Sequence, residues 1–295
     1  MTVKRGIVPP GATPLDRALR RARERSSLLA RLASSPRVGA LAATFVVSAQ
    51  VRERLRFVAR ELLGSRRRAQ YRLRGADLRV WLRHGTPDIQ NFDEIFYQAL
   101  YSPPEPVAAA LAGVTDATVV DLGANIGLAG AYFLGKLEVG SVVAFEPDPA
   151  NADVHEQTIR ANSLGDRWRL VRACAAVRDG ELPFATGGFA ESHVVEEPAG
   201  EDVTRLPAVD VFPELEQADV VKIDIEGGEW PILLDERFRS VPASVLVLEY
   251  HAHLCPEDDP PAVAERALRG AGYEISSIFN EPDGTGMVWA WRQAP

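Results

Sequence analysis

The chain has 295 residues, 46% of them hydrophobic and 25% charged, which suits a globular protein with a full core and excludes a low-complexity chain. Two cysteines, Cys174 and Cys255, exclude a disulfide framework and point to a reducing, cytoplasmic setting. The formal net charge of −8 is unevenly spread: residues 1–74 hold 18 Lys and Arg against four acids, and the remainder holds 15 against 37. No apolar run reaches membrane-spanning length and nothing near the start reads as a signal peptide, so no transmembrane segment is expected.

Residues 1–70 read as a basic leader. Pro9, Pro10, Gly11 and Pro14 break structure at its start, which is expected to be disordered. Leu28, Leu29 and Leu32 recur at helical spacing, and so do Val51, Leu55, Val58 and Leu62. Such stripes favour self-packing or a homodimer contact over a membrane surface. Nucleic acid ranks last as a partner, because aromatic residues are scarce here.

Residues 71–116 read as a covering segment. Tyr71–Leu73 and Leu78–Leu82 predict a hairpin around Gly75-Ala76-Asp77. A helix is expected over 88–100, with Phe92, Ile95, Phe96 and Ala99 on one face. Tyr97 and Tyr101 are candidates for substrate contact, although core aromatics of this helix are the favoured reading.

The core begins at about residue 117. A short apolar strand ends at Val119 and Val120, and Asp121, Gly123, Ala124, Asn125 and Gly127 form a glycine-rich turn. A helix follows over 128–137, then a strand over 142–145 that ends in Glu146. Strand, glycine turn, helix, strand and acid is the layout that binds a nucleoside in a doubly wound fold. Glu146, 19 residues past Gly127, is placed to accept hydrogen bonds from both ribose hydroxyls. A dinucleotide fingerprint requires a glycine where this chain has Asn125, and a Walker A loop is absent. Tyr132 and Lys136 match a dehydrogenase pair but fall too early. Asp121 before the first glycine would repel a pyrophosphate and suits a cationic ligand. S-adenosylmethionine, a sulfonium without phosphate, fits best. The expected cofactor contacts are Asp121, Gly123, Ala124, Asn125, Gly127, Glu146 and Pro147, with Ala176 beside the adenine.

A helix is expected over 151–162, a strand over 168–173 and a strand pair over 181–186 and 192–196 around Gly187-Gly188. Residues 219–223 read as a buried parallel strand interrupted by Lys222, with Asp224 and Glu226 at its C-terminal end. A helix from Trp230 to Phe238 follows. Residues 244–250 form another apolar strand, with Glu249, Tyr250 and His251 at its end. A helix over 261–270 and a terminal hairpin, 273–279 with 287–291, complete the chain. The expected fold is α/β, a Rossmann-like doubly wound and mostly parallel sheet with a C-terminal antiparallel hairpin, preceded by a helical extension. Residues 117–295 form its core, and Asp121, Glu146, Asp224 and Glu249 should share one rim.

The segments DLGANIG, FEPDP, KIDIEGGE and VLVLEYH, in this order, resemble the FkbM-type S-adenosylmethionine-dependent methyltransferases of class I. The resemblance runs from about Arg79 to Trp291. It implies O-methylation of a hydroxyl on a sugar, a nucleoside or another natural-product scaffold, with the glycine turn and Glu146 as cofactor contacts. Trp230-Pro231 after KIDIEGGE departs from the family pattern at the helix entry.

Methyl transfer from a sulfonium needs alignment and a base, and no obligatory metal. Asp224, His251 and Glu226 are the catalytic candidates, with Lys222 and Glu249 behind them. Glu249, His251 and His253 alternate along one strand end in the manner of metal ligands, but no fourth ligand is visible and no metal is expected. Two other readings stay open: an RNA methyltransferase that uses the basic leader for nucleic-acid binding, and a cofactor-binding scaffold without catalysis.

Overall fold

The computed structural model describes residues 36–64, 67–185, 193–194 and 203–292. Leu28, Leu29, Leu32, the proline-rich start and Gly187-Gly188 lie outside the described residues. Among the described residues, no helix is long and apolar enough to cross a membrane.

Seven strands form the central sheet: β3 (Thr118–Leu122), β4 (Ser141–Phe145), β5 (Trp168–Val171), β10 (Val220–Ile223), β11 (Val245–Tyr250), β12 (Glu274–Asn280) and β13 (Gly286–Trp291). Their order is β12-β13-β11-β10-β3-β4-β5. The five strands from β11 to β5 are mutually parallel, while β13 runs antiparallel to both β11 and β12. The expected α/β class and terminal hairpin are therefore present.

The parallel strands are buried on both faces, which is why they read as continuous apolar runs. Successive residues of β3 still separate into two layers. Val119 joins the core cluster containing Phe133, Val142 and Trp168, whereas Val120 and Leu122 join the one containing Trp230, Leu246 and Leu248. Asp121 and Lys222 fall on the first face, where they replace two apolar side chains. Helix α5 (Leu128–Lys136) begins at Gly127, and α6 (Pro149–Asn162) begins at Asp148. The Asp148 carboxylate accepts from the amides of Ala150 and Asn151, and Pro149 sits in the first turn, so both residues favour a helix start here.

Four expectations are corrected. Strand β3 runs through Leu122, which draws Asp121 out of the turn and into the sheet. The strand expected over 168–173 is two: β5 stops at Val171, and β6 (Cys174–Ala176) joins a second sheet. That sheet, ordered β6-β9-β7-β8, includes β7 (Gly180–Ala185), β8 (His193–Val194) and β9 (Val203–Asp210); the last was not foreseen. The helix from Trp230 to Phe238 is interrupted. Helix α8 (Glu229–Leu234) ends at Asp235, whose side chain caps a separate 3-10 turn, Glu236–Ser240.

Before the core, α1 (Pro36–Val47) and α2 (Arg54–Leu62) precede the hairpin β1 (Arg68–Arg72) and β2 (Arg79–Arg83). The stripe Val51-Leu55-Val58-Leu62 is not the buried face of α2. Leu55 and Leu62 are exposed, Phe57 is the buried residue, and Val51 forms a bridge to Leu73 outside the helix. The helix expected over 88–100 is a short α3 (Asp88–Phe92) that widens into a π-helical turn at Asp93–Tyr97. Helix α4 (Glu105–Ala112) leads into β3.

Strand β2 docks along α6. The Trp81 amide donates to Thr158 Oγ1 at 3.1 Å, and Arg79 and Asn162 exchange backbone-to-amide hydrogen bonds. Buried Arg83 grips Asp88 through Nε and Nη2, each at 2.8 Å, and donates from Nη2 to Asn151 Oδ1 at 2.7 Å. This latch holds the covering segment over one end of the sheet.

Candidate functional site

A cleft opens at the C-terminal ends of the parallel strands, where ligands sit in open α/β sheets. One wall is the glycine turn, with Gly123, Ala124, Asn125 and Ile126, followed by Glu146 and Pro147. The rest of the lining is Asn91, Glu94, Ile95 and Tyr101 from the covering segment, together with Asp224, Glu226 and Glu249 at the strand ends.

The turn is built for close packing as well as for a ligand. Gly123 has φ +81°, and a Cβ there would stand 1.7 Å from the Asp224 carbonyl oxygen. Gly127 has φ +86°, and a Cβ there would meet the His155 ring at 2.5 Å. Both glycines are thus demanded first by the protein's own backbone and side chains. Asn125 also adopts the left-handed region, at φ +48°. Its side-chain oxygen is buried in the cleft wall with no hydrogen-bond partner among the described residues.

Glu146 closes this wall. Oε2 accepts from the Asn125 amide at 2.8 Å and Oε1 from the Asp148 amide at 2.9 Å. Oε1 also accepts a longer bond from Asn151 Nδ2 at 3.5 Å, while Oε2 keeps a second acceptor position for a hydroxyl. Burial pushes the Glu146 carboxyl up to about 7, while the two amides pull against that rise. A buried carboxylate with a spare acceptor position on Oε2, a left-handed glycine turn and an orphaned amide oxygen together fit the nucleoside end of S-adenosylmethionine.

Asp121 lies beneath the cleft, and Lys222 reaches its lining. Lys222 Nζ is 3.2 Å from Asp121 Oδ1, 3.3 Å from Asp224 Oδ2 and 2.6 Å from the Gly123 carbonyl oxygen. Burial alone would favour neutral lysine, but Asp121 and Asp224 hold the ammonium well above its usual range. Burial raises the Asp121 carboxyl, and Lys222 opposes that.

Asp224, Glu226 and His251 come together, with one donor atom of each lying within 4.8 Å of the others. Glu226 reaches this position with φ +54°, and Gly227 follows at φ +99°. His251 is gripped from behind by Glu229, which is fully buried. Nδ1 lies 3.0 Å from Glu229 Oε1, and Nε2 lies 3.4 Å from Glu226 Oε2. Glu229 also accepts from the His251 amide at 2.6 Å and from the Gly227 amide at 2.9 Å. Burial lowers the affinity of His251 for a proton, but Glu229 and the neighbouring acids outweigh it and raise the imidazolium to about 9. Burial and Asp224 lift Glu249 to about 8. Burial, with help from Asp93 and Asp224, raises Glu94.

The expected residues separate as follows. Gly123, Ala124, Asn125, Glu146, Pro147, Asp224 and Glu226 line the cleft. Asp121 and Gly127 support it without lining it. Ala176 is misplaced: its carbonyl accepts from Val211 in the second sheet, and Cys174 and Ala175 face the cleft instead. Tyr101 is both buried and cleft-lining, whereas Tyr97 points outward. The donor grouping that the fold brings together is Asp224, Glu226 and His251, rather than the alternating Glu249, His251 and His253. Asn91, Glu94, Phe184 and Glu229 were missed. Asn91, Glu94 and Ile95 do share one helical face, and that spacing was the available signal.

A seven-stranded sheet of this order, with a glycine turn after its first core strand and an acid ending the next, defines an α/β methyltransferase. Residues 121–275 match the methyltransferase FkbM domain, and the chain belongs to that family of S-adenosylmethionine-dependent methyltransferases. It is 26% identical over 215 residues to methyltransferase sdnD of Sordaria araneosa, covering 59% of this chain and 81% of that protein. It is 25% identical over 189 residues to methyltransferase 1 of Beauveria bassiana (strain ARSEF 2860), covering 55% and 74%. A crystal structure of methyltransferase FkbM from Methylobacillus flagellatus KT aligns with a TM-score of 0.43 at 16% identity, over 69% of this chain and 54% of that chain.

Proposed function

We propose that the protein is an O-methyltransferase that uses S-adenosylmethionine to methylate a hydroxyl of a small molecule: a sugar, a nucleoside or another natural-product scaffold. The observation that carries this reading is the division of one cleft into two chemically different walls. The glycine-turn wall, with Glu146 and Asn125, fits the nucleoside. The other wall offers polar acceptors for a hydroxylated molecule.

When bound, the cofactor supplies a methyl group already activated on a sulfonium. The chain must align the acceptor oxygen, exclude water and receive a proton. Alignment contributes roughly 7–11 kcal/mol in favourable cases. Tyr101, Ile95 and Leu100 close the cleft from the covering segment. Asp224 is the base we favour, because it ends β10 beside the glycine turn. Lys222 holds one of its oxygens and leaves the other to accept a hydroxyl proton. Glu226 ranks next. His251 ranks below both, since Glu229 keeps it charged at neutral pH and an imidazolium accepts no proton.

The RNA reading is weakened by the acceptor wall itself. Glu94, Asp224, Glu226 and Glu249 would repel a phosphate backbone. A screen with methyl-labelled S-adenosylmethionine against sugars, nucleosides and macrolide-like alcohols tests the proposal. Labelled ether products that Asp224→Asn fails to form would support it. Label found only in RNA, or on no acceptor by a protein that binds the cofactor, would overturn it.

A further inference from the structure

Seven large hydrophobic side chains are exposed among the described residues, and four of them fall on the N-terminal helices: Phe45 on α1, Leu55 and Leu62 on α2, and Leu63 just after it. Leu55, Ala59, Leu62 and Leu63 recur at i, i+4, i+7 and i+8, so they share one helical face. All four are exposed, Leu55 and Leu63 at 82%. The opposite face is already used. Phe57 is fully buried there, with its ring against Tyr71, His84 and Phe92. Helix α2 is thus pinned by one face and leaves a leucine stripe uncovered on the other.

Charge decides what such a face can meet. Residues 36–74 hold ten arginines and two acids. Both acids are engaged: Glu53 pairs with Arg72 and Glu61 with His84, each at 2.8 Å. Arg52, Arg56, Arg60 and Arg67 have no ion pair among the described residues. Arg56 and Arg60, one turn apart, run beside the leucine stripe. Two copies meeting through this face would set these arginines against one another, because a two-fold contact places the same patch on both sides. Residues 1–35 hold eight Lys and Arg against two acids, so the chain's own leader carries the same sign. Nucleic acid would satisfy the arginines but not the leucines, which offer no aromatic face for a base to stack on. A bilayer with anionic lipid meets both demands, acyl chains for the leucines and phosphates for the arginines. Residues 75–295 hold 15 Lys and Arg against 37 acids, and that excess repels the same surface, which confines contact to the N-terminal face.

We propose that α2 and its flanks are a docking surface for a bilayer containing anionic phospholipid. Leu55, Leu62 and Leu63 enter the headgroup boundary, and Arg56, Arg60 and Arg67 meet the phosphates. A short apolar stripe or a few cations alone hold a protein to a membrane only marginally, and the two signals reinforce each other. The helix lies along the surface; it is too short to cross. This docking surface is independent of the methyl-transfer reading, since none of its residues lines the cleft.

The experiment is flotation of the full chain with vesicles, one set of phosphatidylcholine alone and one of equal parts phosphatidylcholine and phosphatidylglycerol, over a series of salt concentrations. Thermal unfolding and light scattering are measured on the same proteins without vesicles. Binding is expected to the phosphatidylglycerol vesicles, weakening as salt rises, and not to phosphatidylcholine alone. Leu55→Ser and Leu62→Ser should each lower the affinity about tenfold, because each removes one leucine from an apolar boundary. Arg56→Gln and Arg60→Gln should each lower it about fivefold. Leu234→Ser, at an exposed leucine of α8, should leave it unchanged. Unchanged thermal unfolding in the leucine variants shows that the stripe is uncovered in the free protein. Absence of binding to phosphatidylglycerol vesicles would overturn the proposal, as would equal binding to both vesicle types or binding that the leucine variants leave intact. A dimer that Leu62→Ser splits would assign the face to a second copy, and a drop in thermal stability in both leucine variants would assign it to the chain's own packing; either result also overturns the proposal.

Discussion

Lys222 and Asp121 stand opposite each other in the parallel register of β10 and β3, and neither is more than 2% exposed. The pair occupies a layer of aliphatic and aromatic side chains. Its Nζ also holds the Gly123 carbonyl, so one ammonium ties the central strands to the turn.

Lys222→Met should therefore cost about 3–5 kcal/mol in urea denaturation, because it leaves Asp121 charged, buried and unpaired. Adding Asp121→Asn should recover much of that loss, since the two residues are in contact and their effects do not add. Equal losses in the single and double variants would show that Lys222 acts through something other than Asp121.

Gly123→Ala should disrupt the turn. Its φ of +81° strains an alanine by about 1–3 kcal/mol. The Asp224 carbonyl, 1.7 Å from the new methyl, must also move. Thermal unfolding should shift down and S-adenosylmethionine binding should vanish. Gly165→Ala is the control, for it has nothing within 4 Å and should change neither.

Glu146 gives cofactor binding a pH dependence. Its carboxyl ionises at about 7 in the folded protein, against about 4.3 in an unfolded chain. The folded state holds the extra proton between those values. This contribution to stability is complete below the lower value and is lost as pH rises through about 7. Affinity runs the other way, because the ionised carboxylate is the better acceptor of ribose hydroxyls. Calorimetry should show S-adenosylmethionine binding about tenfold tighter at pH 8 than at pH 6, since a group with this pKa is about one-tenth ionised at pH 6. Glu146→Gln should flatten the slope, and Glu146→Ala should weaken binding by roughly 1.5–3 kcal/mol. A slope that persists in Glu146→Gln would assign it to another group.

Asp224→Asn should lower turnover by about 10²–10⁴-fold with cofactor affinity nearly unchanged, the signature of a lost base. A parallel fall in cofactor affinity would mean that Asp224 acts through Lys222 and the turn instead.

The parts of this site that sequence revealed are those whose chemistry is local. A glycine turn after an apolar strand has few structural meanings, and an acid at the end of the next strand comes to the cleft whatever surrounds it. Asp224 and Glu226 were visible for the same reason. Ala176 falls outside the cleft lining because the chain changes sheets at Arg172-Ala173, and that exchange depends on β9, some thirty residues away. Glu229 was overlooked because it reads as an ordinary acid in a helix's first turn. Only the tertiary approach of β11 turns it toward His251. Leu55 and Leu62 misled in the opposite sense: helical spacing names a face but does not say what covers it.

The Arg83 latch has a bearing on how acceptor preference diversifies. Asn151, one of its anchors, lies in the same first turn of α6 that Asp148 caps, next to the amide that holds Glu146. A graft that exchanges residues 88–101 for those of another family member would alter the acceptor wall while leaving the nucleoside wall intact, provided that Arg83, Asp88 and Asn151 travel as a unit. If residues 88–101 carry the proposed acceptor specificity, they form an exchangeable cassette with a fixed fastening, and chimeras that keep the fastening are expected to remain folded.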